Sequence, residues 1–298
     1  MRTTRSLIDL DDLSAADIEQ LFERTKRFER EPPGRLLDGS ACVNMFFESS
    51  TRTMTSFTLA EKRLGADVIT ITPERSSLNK GETIEDTAIT LAAMGINILV
   101  IRHPEPGFPR NVALSFDGHV INAGDGGHAH PTQALLDIYT LCEEFGGLAG
   151  RKIAIVGDVK HSRVAHSTIT GLVGLGADVV LVGPEGFLPN DFAKRGVRIE
   201  RDFDSILPKA DALVLLRIQR ERFSDMPISD EEYIRDYRLD QRRLQALRPE
   251  TIIMHPGPYN RGVELDDSVL TFAGWRYAKQ VMHGVSVRMA ILDFLVNG

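Results

Sequence analysis

Arginine and histidine side chains follow most of the apolar stretches of this sequence that are typical of buried strands. Five such stretches lie near residues 43–47, 98–101, 153–156, 213–216 and 252–254. The charged or hydrogen-bonding residues at their ends are Glu48, Arg52, Arg102, His103, Asp158, Arg163, Arg217 and His255. In open α/β sheets, ligands bind outside the carboxyl ends of the strands. The sequence therefore predicts a crevice lined with guanidinium groups, which suits a substrate rich in phosphate and carboxylate.

The segment Ser50-Thr51-Arg52-Thr53 lies where a predicted strand turns into a predicted helix. The N–H groups and the positive dipole end at a helix N-terminus form an anion site. Hydroxyl groups and a guanidinium fork complete the set of donors that a phosphate binds. The same residues could instead cap the helix, since Ser and Thr are favoured at that position. Both interpretations remain open from this segment alone.

A second strand-to-helix junction carries His130-Pro131-Thr132-Gln133. We predict His130 at the N-cap and Gln133 in the first turn, so both could face the same crevice mouth. A histidine beside a helix N-terminus tends to stay neutral and could donate a hydrogen bond to a carbonyl oxygen during acyl transfer. A structural cap is one alternative. A metal site of Asp125, His128 and His130 is another, which the lack of a further histidine or cysteine cluster disfavours.

The second half of the chain supplies further candidates. Arg163 lies at the start of a predicted helix, and Arg217 and Gln219 point to one side of an extended strand end because they alternate. For Arg220 a solvated surface position is the favoured interpretation. The turn Gly157-Asp158 lacks the G-x-G-x-x-G pattern, which disfavours a nicotinamide-dependent oxidoreductase.

The elements that must position these residues alternate along the chain. Predicted strands lie near 42–47, 67–71, 97–101, 118–121, 152–156, 178–182, 211–215 and 251–254. Predicted helices lie near 14–28, 51–64, 83–94, 131–145, 163–175, 267–281 and 285–296, and residues 219–239 are expected to form a long charged loop. Two such series predict an α/β fold with two doubly wound domains, each with a parallel β-sheet flanked by helices.

Composition sets broader limits. The formal net charge of -7 over 298 residues argues against nucleic acid or an anionic membrane as the main partner. Cys42 and Cys142 form neither a disulfide framework nor a zinc motif, which fits a reducing compartment. No apolar run approaches the ~20 residues that span a bilayer, and no apolar signal region is evident. We therefore expect a soluble, cytoplasmic protein.

Six motifs occur in order along the whole chain. They are Ser-Thr-Arg-Thr at 50–53, Arg-His-Pro at 102–104, His-Pro-Thr-Gln at 130–133, Gly-Asp-Val-Lys-His-Ser-Arg at 157–163, Arg-x-Gln at 217–219 and His-Pro-x-Pro at 255–258. This series resembles the carbamoyltransferase family and, within it, the aspartate carbamoyltransferases. Ornithine carbamoyltransferases look like His-Pro-Cys-Gln and His-Cys-Leu-Pro at the two histidine junctions, whereas this chain has Thr132 and Pro256 there. Gly257 replaces a larger apolar residue of the best-known aspartate enzymes.

The resemblance implies a reaction and a domain arrangement. Carbamoyl phosphate would carbamoylate the α-amino group of L-aspartate, the committed step of de novo pyrimidine biosynthesis, without a cofactor or a metal. Residues 1–130 with 284–298 would bind carbamoyl phosphate, and residues 131–283 would bind aspartate. The amine would attack directly, through a tetrahedral intermediate.

The resemblance also implies a role for each residue at the carbamoyl phosphate site. Ser50, Thr51, Arg52 and Thr53 would hold the phosphate. Thr53, Arg102 and His130 would polarise the carbamoyl carbonyl, and Arg52 would offset charge on the leaving group. The carbamoyl NH2 would be bound by Gln133 and by the backbone around Pro256 and Gly257.

The acceptor side follows in the same way. Arg163, Arg217 and Gln219 would bind the aspartate carboxylates. Ser77 would contact carbamoyl phosphate, and Lys80 would contact aspartate and the reacting groups, both from a neighbouring subunit. A homotrimer with shared active sites is therefore implied.

Closure and partners complete the expectations. Glu48, Glu221 and Arg222 would act in domain closure, with Glu48 bridging to Arg163 or Arg222, although the sequence is also compatible with simple interdomain salt bridges. A larger assembly with regulatory or dihydroorotase-like chains is possible in such systems. A non-enzymatic anion-binding module would also explain arginine-lined strand ends, but it would bind carbamoyl phosphate without turnover.

Overall fold

The computed structural model of the chain describes residues 6–72, 81–189, 192, 196–223 and 226–298, the side chain of residue 221 excepted. The chain divides into two compact units. The first unit comprises Met1–Tyr139 and Met282–Gly298, and the second unit comprises Thr140–Val281. The functional domain boundaries expected at 130/131 and 283/284 stay a prediction.

The described helices and strands alternate in chain order. They are α1 (Ala15–Arg30), β1 (Ala41–Phe46), α2 (Thr51–Arg63), β2 (Asp67–Ile71), α3 (Ile84–Ala93), β3 (Ile98–His103), α4 (Phe108–Ser115), β4 (His119–Asp125), α5 (Pro131–Phe145), β5 (Lys152–Val156), α6 (Arg163–Gly174), β6 (Asp178–Val182), β7 (Arg198–Glu200), β8 (Ala212–Leu215), α7 (Asp230–Tyr237), α8 (Gln241–Gln245), β9 (Ile252–Met254), α9 (Asp267–Leu270) and α10 (Tyr277–Asn297).

The four strands of the first unit form a parallel sheet in the order β2-β1-β3-β4. β2 lies on one side of β1, whereas β3 and then β4 lie on the other side. The direction of winding therefore reverses between β1 and β3, and ligands of doubly wound sheets bind outside the strand ends at such a switch point. Val43, Met45, Leu99 and Ile101 are almost fully buried in the core of this unit, which explains why these strands read as apolar runs.

The second unit repeats this principle with five parallel strands in the order β7-β6-β5-β8-β9. β6 and β7 lie on one side of β5, and β8 and β9 lie on the other. The switch point is therefore between β5 and β8, at the segments that follow Val156 and Leu215. The predicted α/β fold with two doubly wound parallel sheets is confirmed.

Three predictions about elements were wrong in detail. The segment 219–239 is not one long loop, because a 3-10 turn (Arg220–Arg222) and helix α7 lie within it. The expected helix at 267–281 is confined to α9 and the start of α10, since Trp275 forms a bridge with Ile253 beside β9. The expected break before residue 285 is absent, because α10 continues through Gly284. Helix α4 and the short strand β7 were not predicted.

No helix in the described part of the chain combines the length and the apolar character that a membrane span requires.

Candidate active site

The candidate site of the first unit lies at the start of α2, directly after β1. Ser50 occupies the N-cap, but its hydroxyl makes no capping hydrogen bond. The first helical bond runs from the N–H of Met54 to the carbonyl of Ser50 at 3.1 Å, which leaves the N–H groups of residues 51–53 without an intrahelical acceptor. Thr51 and Arg52 are exposed and Thr53 is buried. The hydroxyl groups and N–H groups therefore remain available to an anion, and the Ser50 side chain does not serve as a cap.

Arg102 and Glu48 meet at the switch point of the first sheet. The Arg102 Nε lies 3.3 Å from Glu48 Oε2, and the two side chains are 14% and 27% exposed. A second guanidinium nitrogen of Arg102 donates to the carbonyl of Ala123 at 3.3 Å, which ties the end of β3 to β4. Because β3 pairs with β1, Arg102 follows the strand next to the one that leads into α2, so its guanidinium and the helix N-terminus share one end of the sheet.

His130 and Gln133 lie at the beginning of α5, which follows β4. The carbonyl of His130 accepts from the N–H groups of Gln133 and Ala134, both at 3.1 Å, so the predicted N-cap position of His130 is confirmed. The imidazole is 4% exposed, and the helix dipole at this position disfavours its cation. Gln133 is half-buried, and its Nε2 donates to Asp137 Oδ1 at 2.9 Å.

Asp125 and His128, the other members of the alternative metal site, are held by protein contacts. Asp125 accepts from the backbone N–H of Gly107 at 2.7 Å and of Ala129 at 3.0 Å. His128 Nδ1 lies 3.1 Å from the same carboxylate. Among the residues that the structure describes, no group of three His, Cys, Asp or Glu side chains is arranged to hold a metal ion. The carboxylate of Asp125 instead shapes the loop before α5.

The candidate site residues of the second unit are organised by Asp158, which follows β5. Its Oδ2 accepts from the backbone N–H of Gln219 at 3.1 Å, and its Oδ1 accepts from the backbone N–H of His161 at 3.2 Å. The segments after β5 and β8 are thereby tied together at the switch point of the second sheet. Arg217 Nη2 donates to Gln219 Oε1 at 3.0 Å, and Arg222 Nη1 donates to the carbonyl of His161 at 2.8 Å.

Arg163 is the first residue of α6 and is 8% exposed. It begins the helix that leaves the switch point of the second sheet, so it shares this end of the sheet with Arg217 and Gln219. The structure therefore brings the three expected aspartate-binding residues to one edge of the second unit.

The segment after β9 presents backbone groups. The N–H of His255 donates to Gln280 Oε1 at 3.0 Å, and the N–H of Gly257 donates to His255 Nδ1 at 2.8 Å. Gly257 has φ +69°, a left-handed conformation that glycine adopts without a steric penalty. Gly257, which replaces a larger apolar residue of the best-known aspartate enzymes, is therefore suited to its turn.

A buried polar pair anchors α2 to β1. Asn44 Nδ2 donates to Glu61 Oε2 at 2.7 Å, and both residues are 0% exposed. Burial raises the pKa of Glu61 from 4.5 to about 7, and the hydrogen bond from Asn44 opposes this shift. Sequence reasoning did not identify Glu61, because a single Glu on a helix usually lies on the surface.

Glu61 makes the stability of the first unit depend on pH. The folded protein holds the Glu61 proton more tightly than the unfolded chain between pH 4.5 and about 7. Its contribution is therefore complete below pH 4.5 and is lost as pH rises toward 7, by about 3 kcal/mol for a shift of this size. We expect Glu61→Gln, which stays neutral, to lack this loss when urea unfolding is followed from pH 4.5 to pH 8.

The exposed Glu19 of α1 offers the matched substitution Glu19→Gln, which should follow the wild-type pH dependence. Parallel stability curves for wild type and Glu61→Gln would contradict the assignment of this titration to Glu61.

Further residues were expected to act at the site or in domain closure. Ser77 and Lys80 are outside the described residues, and the side chain of Glu221 is not described. Glu48 contacts Arg102 within the first unit, and its closed-state bridge stays a prediction.

Asp137 was missed by sequence reasoning, although its spacing of four residues from Gln133 on a helix could have suggested the contact.

Comparison with known proteins decides the family. Residues 5–143 match the model of the aspartate/ornithine carbamoyltransferase carbamoyl-P binding domain, and residues 149–295 match that of the Asp/Orn binding domain. The chain belongs to the aspartate/ornithine carbamoyltransferase family. The family expected from the sequence is thereby confirmed. This carbamoyltransferase is 49% identical over 266 residues to the aspartate carbamoyltransferase catalytic subunit of Salinispora arenicola, covering 88% of this chain and 86% of that relative.

Solved structures agree with this assignment. The aspartate transcarbamoylase of Trypanosoma cruzi in complex with carbamoyl aspartate and phosphate has a TM-score of 0.88 and 34% identity, over 97% of this carbamoyltransferase and 95% of that chain. The catalytic subunit of M. jannaschii aspartate transcarbamoylase has a TM-score of 0.86 and 36% identity, over 98% and 97% of the two chains.

Proposed function

We propose that the chain transfers the carbamoyl group of carbamoyl phosphate to the α-amino group of L-aspartate, giving N-carbamoyl-L-aspartate and phosphate. The observation that carries this proposal is that each of the two switch points has its own set of binding groups. The first has hydroxyl groups, helix N–H groups and two arginines for a phosphate and a carbonyl. The second has Arg163 and Arg217 for two carboxylates. The named relatives act on, or are bound to, the same compounds.

On the carbamoyl phosphate side, Ser50, Thr51, Arg52 and Thr53 bind the phosphate at the N-terminus of α2. The helix dipole and the guanidinium of Arg52 offset the charge that develops on the leaving group. Thr53, Arg102 and His130 donate to the carbamoyl oxygen. An N–H group of the His130 imidazole can donate a hydrogen bond to that oxygen without transferring its proton.

On the acceptor side, Arg163, Arg217 and Gln219 bind the two carboxylates of aspartate. Arg217 is partly solvated and lies beside Gln219, so a carboxylate can replace the Gln219 oxygen as its acceptor. Ornithine carries a second cation, which two arginines would repel. The backbone near Pro256 and Gly257 contributes acceptors for the carbamoyl NH2.

The reaction needs only orientation and fixed positive charge. The uncharged α-amino group attacks the carbamoyl carbon, and a tetrahedral intermediate forms with its oxyanion facing Thr53, Arg102 and His130. The C–O bond to phosphate then breaks, and phosphate takes the amine proton as it leaves. Domain closure, with Glu48 bridging to Arg163 or Arg222 and with Glu221 contributing, is the proposed step that excludes water.

A homotrimer with shared sites is proposed for the assembly, in which Ser77 and Lys80 serve a neighbouring subunit. Strand β2 lies at the edge of the first sheet, with Ile69 48% exposed, and Leu59 of α2 is 41% exposed. Apolar residues at an open sheet edge are typical of a surface that another chain covers. A cytoplasmic step of pyrimidine biosynthesis and a larger assembly with regulatory or dihydroorotase-like chains are compatible with this proposal.

A product assay tests the function directly. The purified protein is given carbamoyl phosphate with L-aspartate or L-ornithine in separate reactions, and both products are quantified. We expect carbamoyl aspartate and no citrulline, because the second switch point presents arginines to the acceptor. Citrulline alone would overturn the acceptor assignment while keeping the phosphate site. Binding of carbamoyl phosphate without either product would favour a non-catalytic anion-binding module.

A further inference from the structure

The orientation of the Gln133 amide is set by a carboxylate one helical turn away. Gln133 Nε2 donates to Asp137 Oδ1 at 2.9 Å. An ionised carboxylate accepts hydrogen bonds and cannot donate them, so the NH2 end of Gln133 must face Asp137. The amide oxygen then points away from Asp137. Within the described residues no group donates to that oxygen, so a ligand donor can reach it.

The carboxylate that accepts from Gln133 shares its buried environment with a cation, Arg288. Asp137 is 0% exposed and Arg288 is 3% exposed. Burial lowers the pKa of Arg288 to about 10, and the charge of Asp137 opposes this shift. Arg288 therefore stays protonated at neutral pH. A buried charge is tolerated when it is compensated, and the charge of Asp137 helps to compensate the buried Arg288 cation.

Arg288 is itself held by contacts with two helices of the first unit. Its Nη1 donates to the carbonyl of Gly284 at 2.9 Å within α10. Its guanidinium lies 5.0 Å from the centre of the Phe57 ring, which belongs to α2. A Cβ at Gly284 would come within 2.8 Å of Arg288 Nη1. The glycine in the middle of α10 thus makes room for the guanidinium.

We propose that Asp137 and Arg288 are positioning residues that hold the Gln133 amide oxygen toward the substrate and thereby select a carbamoyl NH2 over a methyl group. This inference rests on the proposed function. Acetyl phosphate carries CH3 where carbamoyl phosphate carries NH2. A methyl group would leave the amide oxygen without a donor, and a site built around a hydrogen bond discriminates strongly against a ligand that lacks it.

Asp137→Asn removes the orientation at nearly constant volume. Asparagine both donates and accepts, so Gln133 can turn round and present its NH2 group to the ligand. Calorimetry should give a carbamoyl phosphate to acetyl phosphate affinity ratio that falls by about tenfold or more in the variant, the size of one lost hydrogen bond. An unchanged ratio would overturn the proposal, because a purely structural role would weaken both ligands alike.

Two further variants separate positioning from stability. Asp293→Asn alters another buried carboxylate of the first unit, which pairs with Arg24, and should lower the Tm without changing the ratio. Asp137→Asn with Arg288→Met removes both charges, so it should recover Tm relative to Asp137→Asn alone while the ratio stays low. If Asp137→Asn alone does not fold, the affinity ratio can be measured on this double variant instead. A ratio that recovers together with Tm would contradict positioning.

The binding measurement is independent of turnover. A wild-type protein that prefers carbamoyl phosphate in calorimetry but forms no carbamoyl aspartate would refute the proposed function and leave the positioning role supported. A wild-type protein that binds the two acyl phosphates equally would overturn the positioning role, whatever its activity.

Discussion

Arg52→Ala is expected to lower kcat for carbamoyl aspartate formation by about a thousandfold or more, with a folded protein. Arg52 is exposed at the first turn of α2 and makes no ion pair with any described residue, so its loss breaks no ion pair within the described part of the chain. Its charge would act on phosphate oxygens, where one positioned arginine contributes ~10³–10⁵ in related phosphoryl chemistry. Steady-state kinetics together with the unfolding midpoint measure both parts of this expectation.

Arg35→Ala provides the matched control, because Arg35 is an exposed arginine of the first unit that pairs with Asp38. It should keep the wild-type rate. Arg52→Ala chains mixed with Lys80→Ala chains, each inactive alone, should regain activity after reassembly if a site takes residues from two subunits. Wild-type turnover in Arg52→Ala would remove the phosphate assignment, and a lack of recovery in mixed trimers would contradict shared sites.

Arg217→Ala is expected to raise KM for aspartate by about a hundredfold or more and to leave the affinity for carbamoyl phosphate unchanged. A charge-assisted hydrogen bond contributes about 1.5–3 kcal/mol, and a carboxylate bound to the guanidinium fork loses two of them. The selectivity follows because Arg217 lies at the switch point of the second sheet, whereas the phosphate residues belong to the first. Initial rates at varied aspartate, combined with calorimetry of carbamoyl phosphate, test both statements.

Arg220 offers a control three residues away. It is exposed and its Nη2 lies 2.7 Å from Asp230 Oδ1, so Arg220→Ala should keep the wild-type KM. Equal losses in the two variants would indicate a general charge effect and would contradict a specific carboxylate contact at Arg217.

The strand-to-helix junctions could be predicted because local sequence determines them. β1, β3 and β8 are buried and read as apolar runs, and the polar residue after each run must lie at the sheet edge. The start of α5 could be predicted equally well, since Pro131 suits the first helical turn. Helix α4 was missed because Gly107 and Pro109 resemble a loop, although proline is well tolerated at a helix start.

The contacts that depend on distant segments could not be predicted. Gly284 reads as a break in a helix, and its reason is spatial, because the Arg288 side chain occupies the place of a Cβ. The neighbourhood of Arg288, Asp137 and Phe57 joins three helices that are far apart in the chain. Nothing in the local sequence pattern indicates that these three residues lie close together in the fold. The same holds for Asn44 and Glu61, which look like an ordinary strand residue and an ordinary helix residue.

The division of the chain has a consequence for biosynthesis. The second unit, Thr140–Val281, is continuous, whereas the first unit needs Met282–Gly298 for completion. Domains usually fold in the order in which they leave the ribosome, but here the unit that is begun first is completed last. A nascent chain that has not reached Arg288 already contains every residue of the candidate phosphate site. It still lacks the guanidinium that lies against the Phe57 ring of α2.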